Sequence, residues 1–347
     1  IDYKAILQYG REKGSSSLRK MTFQQRGEML KSLALYLHKR KEIFYELSKA
    51  TGATKVDSWI DIEGGIGNLF ANASLRRQFP DLPYFVDGST ANLSKNGSFI
   101  GHHIMVPRRG VAVHINAFNF PIWGMLEKIA VNFMAGVAAV VKPSEFTSYL
   151  TELMVKEIIN SKILPEGSLQ LIPGLGRGLL DHVDHRDVVT FTGSASTGKL
   201  LKSHANILDH SVPFNMEADS LNACVLGEDV KADSDEFKLF IKEVYKEITV
   251  KTGQKCTAVR RILEKQGFAM PEQTGDDILK NMKQINEPKE RTCPRWCVSI
   301  IQHVYDWRDH VISIEFNDLR KDPLYLFLSD ICKKPYHATF YKLDRVY

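Results

Sequence analysis

Residues 110–145 read GVAVHINAFNFPIWGMLEKIAVNFMAGVAAVVKPSE. Two short apolar runs, VAVHI (111–115) and AAVVK (138–142), flank a longer stretch of helical pattern with Pro121 near its first turn. Short apolar runs of this kind suit strands buried on both faces. The unit therefore reads as strand, helix, strand.

The same alternation continues downstream. TSYLTELMVKEIINS is a helix that Thr147 or Ser148 caps, and LQLI (169–172) is a strand. GLLDHV is a short helix, DVVTF (187–191) a strand, and SASTGKLLKSHA a helix. VPFNM (212–216) and NACVL (222–226) add two more strands. Repeated strand–helix–strand units imply an α/β fold, a doubly wound parallel sheet with right-handed crossovers. Upstream, 21–52 is helical by spacing, with Gly52 as its stop. WIDIEGGIGNLFANASLRRQF reads as a second helix that Gly64 and Gly65 break. LSKNGSF is a polar loop with a turn at Asn96-Gly97.

Composition narrows the function classes. The chain has 347 residues, 44% hydrophobic and 25% charged, with a net charge of +5. That is ordinary for a globular protein of two domains. No Lys/Arg run is long enough for a nucleic-acid arm, and no apolar run approaches the roughly 20 residues of a membrane span. The first residue is Ile, and the natural N-terminus is expected to lie upstream. Five cysteines in no scaffold spacing point to a reduced, cytoplasmic setting. No C-x-x-C pair supports disulfide exchange. Cys293, Cys297, His303 and His310 lack the spacing of a zinc module, so no metal is expected.

In a doubly wound sheet, ligands bind at the carboxyl ends of the strands. Several polar residues fall there. Asn119, in HINAFNFP, can donate its amide to a developing oxyanion, or simply cap a helix. Lys142 and Glu145, in VVKPSE, can grip a ribose diol, and as a carboxylate Glu145 favours NAD over NADP; a solvated loop is the bland reading. Gly193, Ser194 and Gly198, in FTGSASTG, span a strand-to-helix turn that can approach a pyrophosphate, or that merely needs glycine. Glu217, in FNMEAD, stands beyond a strand; partial burial would raise its pKa for general-base work, and a surface carboxylate is the bland reading. Cys256, in KTGQKCTAVRR, sits on a loop among Lys251, Lys255, Arg260 and Arg261, cations that favour a thiolate; a packing cysteine is the alternative.

The order NAFNFP, VKPSE, FTGSxxxG, Glu, GQKCTA resembles the aldehyde dehydrogenase superfamily over about residues 10–262. GVAVHINAFNFPIWGMLEKIA, DSWIDIEGGIG, LLDHVDHRDVVTFTGSASTG, FNMEADSLNACVLGEDV and GQKCTAVRR are most similar to the semialdehyde dehydrogenase part of the bifunctional phenylacetate-degradation protein, which carries an oxepin-CoA hydrolase domain behind it. The benzoate-pathway semialdehyde dehydrogenase is also similar. The resemblance implies NAD(P)+ as cofactor, Cys256 as nucleophile, Asn119 as oxyanion donor and Glu217 as base. It implies Lys142 and Glu145 on the adenosine ribose, and Gly193 and Ser194 near the pyrophosphate, with Gly198 inside the next helix. The substrate it implies is an aldehyde, possibly CoA-linked, formed after aromatic ring opening. Family members are homo-oligomers, but the segment that joins subunits is not recognisable here.

Three regions are expected. Residues 1–226 form an NAD(P)-binding domain with N-terminal helices, and 227–262 begin a catalytic domain carrying the cysteine. Residues 263–347 form a tail unlike the family, holding 2 of the 23 Gly but 3 of the 5 Cys. In the tail VISIEF (311–316) reads as a strand and PLYLFLSDICKK as a short helix. The E-x-F-G-P motif of the family, whose Glu holds the nicotinamide ribose, is absent from the sequence. The catalytic domain is therefore expected to be incomplete. An active aldehyde dehydrogenase and a truncated remnant that at most binds the dinucleotide both fit this pattern.

Overall fold

The computed structural model describes residues 1–263, apart from 221, 228, 232 and 260. The tail expectations, including the two elements within it and Cys293, Cys297, His303 and His310, lie outside the described residues. The chain divides into two compact units, Ile1–Asp219 and Ser220–Tyr347.

The first unit opens with helices α1 (Tyr3–Tyr9), α2 (Ser16–Lys20), α3 (Phe23–Lys39), α4 (Lys41–Ser48) and α5 (Lys55–Ser74). Thr22 with Gln25 caps α3, and Thr54 with Asp57 caps α5, each as a reciprocal capping box. The single helix expected over 21–52 divides at Arg40, and Gly52 ends the run in a left-handed conformation.

Gly64 and Gly65 do not break α5, which runs unbroken through both. A Cβ on Gly64 would stand 2.2 Å from the Trp123 ring, and one on Gly65 would stand 3.0 Å from the Trp123 backbone. The glycine pair is a seat for the start of the next long helix.

Strands β1 (Phe85–Asn92) and β2 (Ile100–Met105) form an antiparallel ribbon around the turn at Gly97. Sequence inspection recognises only the turn, because these strands are almost wholly exposed and show no buried face.

The core element is a five-stranded parallel sheet in the order β5-β4-β3-β6-β7. Its strands are β3 (Val111–Ile115), β4 (Ala138–Lys142), β5 (Leu169–Leu171), β6 (Val188–Gly193) and β7 (Phe214–Ala218). Between them run α6 (Trp123–Met134), α7 (Ser148–Asn160), α8 (Ala195–Lys202) and α9 (Ala205–Asp209). All of β4 and nearly all of β3 are buried, so both faces of the sheet centre are covered, as the doubly wound pattern requires. The order turns back between β3 and β6, which places the topological switch point there.

Asp187 ties the N-terminal helices to this sheet. Its buried carboxylate accepts from Val111 N (2.9 Å), Asp184 N (3.0 Å) and Arg11 Nε (3.1 Å), and also pairs with Arg11 Nη2.

In the second unit the described elements are β8 (Ala223–Val225), α10 (Asp235–Thr249) and β9 (Arg261–Leu263). NACVL was expected to extend the doubly wound sheet. It instead pairs in parallel with β9, in register Ala223 with Arg261, Cys224 with Ile262 and Val225 with Leu263. Residues 220–226 thus fall in the second compact unit, ahead of the boundary expected at 226.

Candidate active site

Asn119 lies, half-buried, in the loop between β3 and α6. It is not the helix cap: that position belongs to Ile122, which contributes no side-chain cap. The cap comes from α5. The buried Asp61 carboxylate accepts from Ile122 N (3.2 Å) and Trp123 N (2.8 Å), supplying the anion that a helix N-terminus favours. On the other side Thr147 Oγ1 donates to Phe118 O (2.9 Å), and the fully buried Thr151 Oγ1 donates to Pro121 O (3.2 Å). Thr147 is the residue before α7, as expected, but its hydroxyl serves this loop rather than its own helix. Asp61 and Thr151 had no role in the sequence reading, and Thr147 had only that of a helix cap; what they do for this loop appears only once α5 and α7 are packed around it.

Lys142 ends β4 and is buried; its Nζ meets Glu145 Oε1 at 2.5 Å. Desolvation pushes Glu145 up, but the hydrogen bonds and charge of Lys142 outweigh it and hold the carboxyl below its usual range. Glu145 therefore presents a carboxylate at the rim while Lys142 supplies the buried cation beneath it. Gly176 lies against the lysine stem, where a Cβ would stand 3.2 Å from Lys142 Cγ.

Gly193 closes β6, and Ser194 caps α8, accepting from Thr197 N at 3.3 Å. Gly198 is buried inside α8, where a Cβ would meet Met216 Sδ at 2.5 Å. Its missing Cβ lets α8 settle on β6 and β7. Asp219, a non-glycine residue at φ +56°, accepts from Ala195 N (3.0 Å) and so occupies one amide of the helix start.

Glu217 stands inside β7 rather than beyond it, and it is exposed. Of the two readings of Glu217, partly buried base or surface carboxylate, the structure shows the exposed one, on the edge strand β7. Thr192 Oγ1 donates to it at 3.4 Å.

A dinucleotide suits these residues on chemical grounds. A cation and a carboxylate stand paired at one strand end, and hydroxyl-bearing Ser194 opens a helix at another, with the switch point between them.

Cys256 lies in the second unit and is exposed. The chain leaves α10 through Lys251, Thr252 and Gly253, all in left-handed conformation (φ 54°, 52° and 70°), and turns back to β9. Of the cations expected to favour a thiolate, Lys255 is spoken for: its Nζ pairs with Glu247 Oε2 at 2.9 Å, and Thr257 Oγ1 donates to the same oxygen at 3.3 Å. Lys251 is buried. Asn222 Nδ2 donates to Cys256 O (2.5 Å) and Ala258 O (3.1 Å). The structure thus gathers Asn119, Lys142, Glu145, Gly193, Ser194 and Glu217 at the strand ends of the first unit, and fixes Cys256 within the second. Among the described residues, no group of three or more His, Cys, Asp or Glu could hold a metal ion. No described helix is long and apolar enough to cross a membrane.

The aldehyde dehydrogenase family model matches residues 2–288, past the point near 262 where the recognisable motifs stop. The chain belongs to the aldehyde dehydrogenase family. The 3,4-dehydroadipyl-CoA semialdehyde dehydrogenase of Aromatoleum evansii is 40% identical over 270 residues, covering 78% of this chain and 52% of that protein. Peroxisomal aminoaldehyde dehydrogenase 1 of Pisum sativum is 33% identical over 193 residues, covering 53% and 36%. Among solved structures, the betaine aldehyde dehydrogenase of Staphylococcus aureus in complex with NAD+ aligns with a TM-score of 0.69 at 22% identity, over 82% of this chain and 54% of that one. That likeness establishes the fold. The chain spans about half the length of the first of these relatives.

Proposed function

We propose that this chain carries the dinucleotide site and the nucleophile of an enzyme that oxidises an aldehyde to the acid with NAD(P)+. The observation that carries the reading is the gathering of Asn119, Lys142, Glu145, Ser194 and Glu217 at the carboxyl end of one parallel sheet. Lys142 and Glu145 hold the adenosine ribose, and Gly193 and Ser194 line the pyrophosphate turn. The carboxylate character of Glu145 favours NAD+, whereas a 2′-phosphate would meet a like charge.

The Cys256 thiolate adds to the aldehyde carbon, forming a thiohemiacetal whose oxyanion takes hydrogen bonds from the Asn119 amide and the Cys256 backbone N–H. A bound NAD(P)+ would supply the acceptor for the hydride that leaves the thiohemiacetal carbon. The product on Cys256 is then a thioester. Glu217 takes a proton from water, the hydroxide adds to the thioester carbonyl, and collapse releases the acid and the thiolate. The exposed position of Glu217 suits contact with water. The A. evansii relative acts on a CoA semialdehyde by name, which supports a CoA-linked semialdehyde of the kind formed after aromatic ring opening as substrate.

The test is formation of reduced cofactor by the purified chain, with NAD+ and NADP+ offered separately and Cys256→Ser as control. Turnover lost in the mutant, with cofactor binding kept, is the expected result. Turnover that survives in Cys256→Ser sinks the nucleophile assignment. Cofactor binding without turnover in the parent chain leaves only a dinucleotide-binding remnant.

A further inference from the structure

We propose that Asn222 is a positioning residue for the Cys256 thiol; the proposal rests on the reading of Cys256 as the nucleophile. A primary amide has two N–H donors. Asn222 spends its Nδ2 on two carbonyls, Cys256 O at 2.5 Å and Ala258 O at 3.1 Å. These carbonyls belong to the residues on either side of Thr257, so the first and third peptide planes after the sulfur-bearing residue are fixed from one side. From the other side, the side chains that flank Cys256 in sequence, Lys255 and Thr257, both end on Glu247 of α10.

The anchor is tied into a β pair. Asn222 directly precedes β8, whose register with β9 starts at Ala223 and Arg261. The Cys256 loop leaves α10 through three left-handed residues, and eight positions after the last of them the chain enters β9, which pairs with the strand that follows Asn222. The loop is entered through strained backbone at Lys251 and Thr252, and its tip at Cys256 and Thr257 is exposed, with apolar packing beginning only at Ala258 and Val259. The amide clamp fixes what packing does not. Nucleophilic attack tolerates little error in this, since about 1 Å of looseness costs on the order of 10²-fold in rate.

The experiment uses the full chain as parent and as Asn222→Ala, Asn222→Asp and Asn222→Gln. Asp matches the shape of Asn but has no N–H to give, and Gln keeps the donors on a longer stem. The expected result for Ala and Asp is a fall in kcat of about 10–100-fold, with KM for the aldehyde unchanged. Amide hydrogen exchange at 254–259 speeds up by about tenfold in both, while exchange in β3 and β4 stays as it was. Gln restores part of the kcat. Exchange at 254–259 that does not change overturns the proposal, as does faster exchange with unaltered kcat, which would make the clamp structural only. A parent chain without turnover, or an active Cys256→Ser, removes the nucleophile reading and the proposal with it. That failure is seen before any Asn222 variant is made.

Discussion

The loop that carries Asn119 and the loop that carries Cys256 are held by different physics. The first is enclosed by helices. Its N–H groups end on a buried carboxylate from α5, its carbonyls receive buried hydroxyls of Thr147 and Thr151, and Trp123 rests in a glycine seat. The second lies at the surface and is held by side chains of Asn222 and Glu247 across exposed or half-buried contacts. Under the proposed function, Asn119 as an oxyanion donor must stay fixed, which burial provides, while Cys256 as a nucleophile must meet substrate, so its loop stays accessible and is fixed by hydrogen bonds instead.

Removing the Asp61 carboxylate tests the enclosed loop most severely. Asp61→Ala strips two buried N–H groups of their acceptor, each worth about 1–3 kcal/mol when left unpaired, and abolishes the cap of α6. The expected loss of stability by urea unfolding is about 3 kcal/mol. Asp61→Asn keeps an acceptor and recovers most of it. A loss under about 1 kcal/mol in the alanine variant would show that the loop is not held from α5 and would erase the contrast with the Cys256 loop.

His114, on the strand that leads into the Asn119 loop, gives the next effect. It is fully buried, and its Nε2 receives Asn132 Nδ2 at 2.7 Å. Burial, with the charge of Lys128 adding to it, lowers its pKa to about 3, so the folded chain holds it neutral. The unfolded chain protonates it near pH 6.5. The folded pKa is depressed, so the stabilisation is complete above that value and drains away as pH falls towards 3. The slope is about 1.4 kcal/mol per pH unit. Unfolding free energy is thus expected to drop by about 2 kcal/mol between pH 6.5 and 5. His114→Leu should remove that slope. The carboxyls held low by their partners, Asp184 and Glu145, lose their stabilisation only below about pH 4, so the window is separable. An unchanged slope in His114→Leu would assign the acid sensitivity elsewhere.

The contrast also explains what was legible in sequence. The β3–α6–β4 unit could be read because its strands are buried on both faces and its apolar runs say so. Asn119, Lys142 and Ser194 could be placed because strand ends are fixed once strands are found. The ribbon β1–β2 was missed because FVDGSTAN buries nothing. Gly64 and Gly65 were misread because glycine disfavours helices locally, whereas here the missing Cβ makes room for a tertiary partner. Asp61 and Asn222 act across 61 and 34 residues of chain, on backbone atoms, and no periodicity encodes such a contact. Whether Glu217 is buried or exposed stayed open in sequence, because it depends on strand order, which a single sequence does not give.

Glu247 offers the smallest and most diagnostic change. Glu247→Gln keeps an acceptor for Thr257 and Lys255 but removes the charge from a pair whose side chains are about a fifth exposed. Such a pair contributes about 0.5–1 kcal/mol, so global stability should barely move. Exchange at 254–259 should quicken less than in Asn222→Ala. Because a partly exposed ion pair is screened by salt whereas a neutral amide–carbonyl bond is nearly indifferent to it, raising the salt should bring the parent chain towards the Glu247→Gln rate and leave the Asn222→Ala difference intact. A parent chain whose loop exchange ignores salt would show that the Glu247 side of the clamp holds nothing, and that the Cys256 loop depends on Asn222 alone.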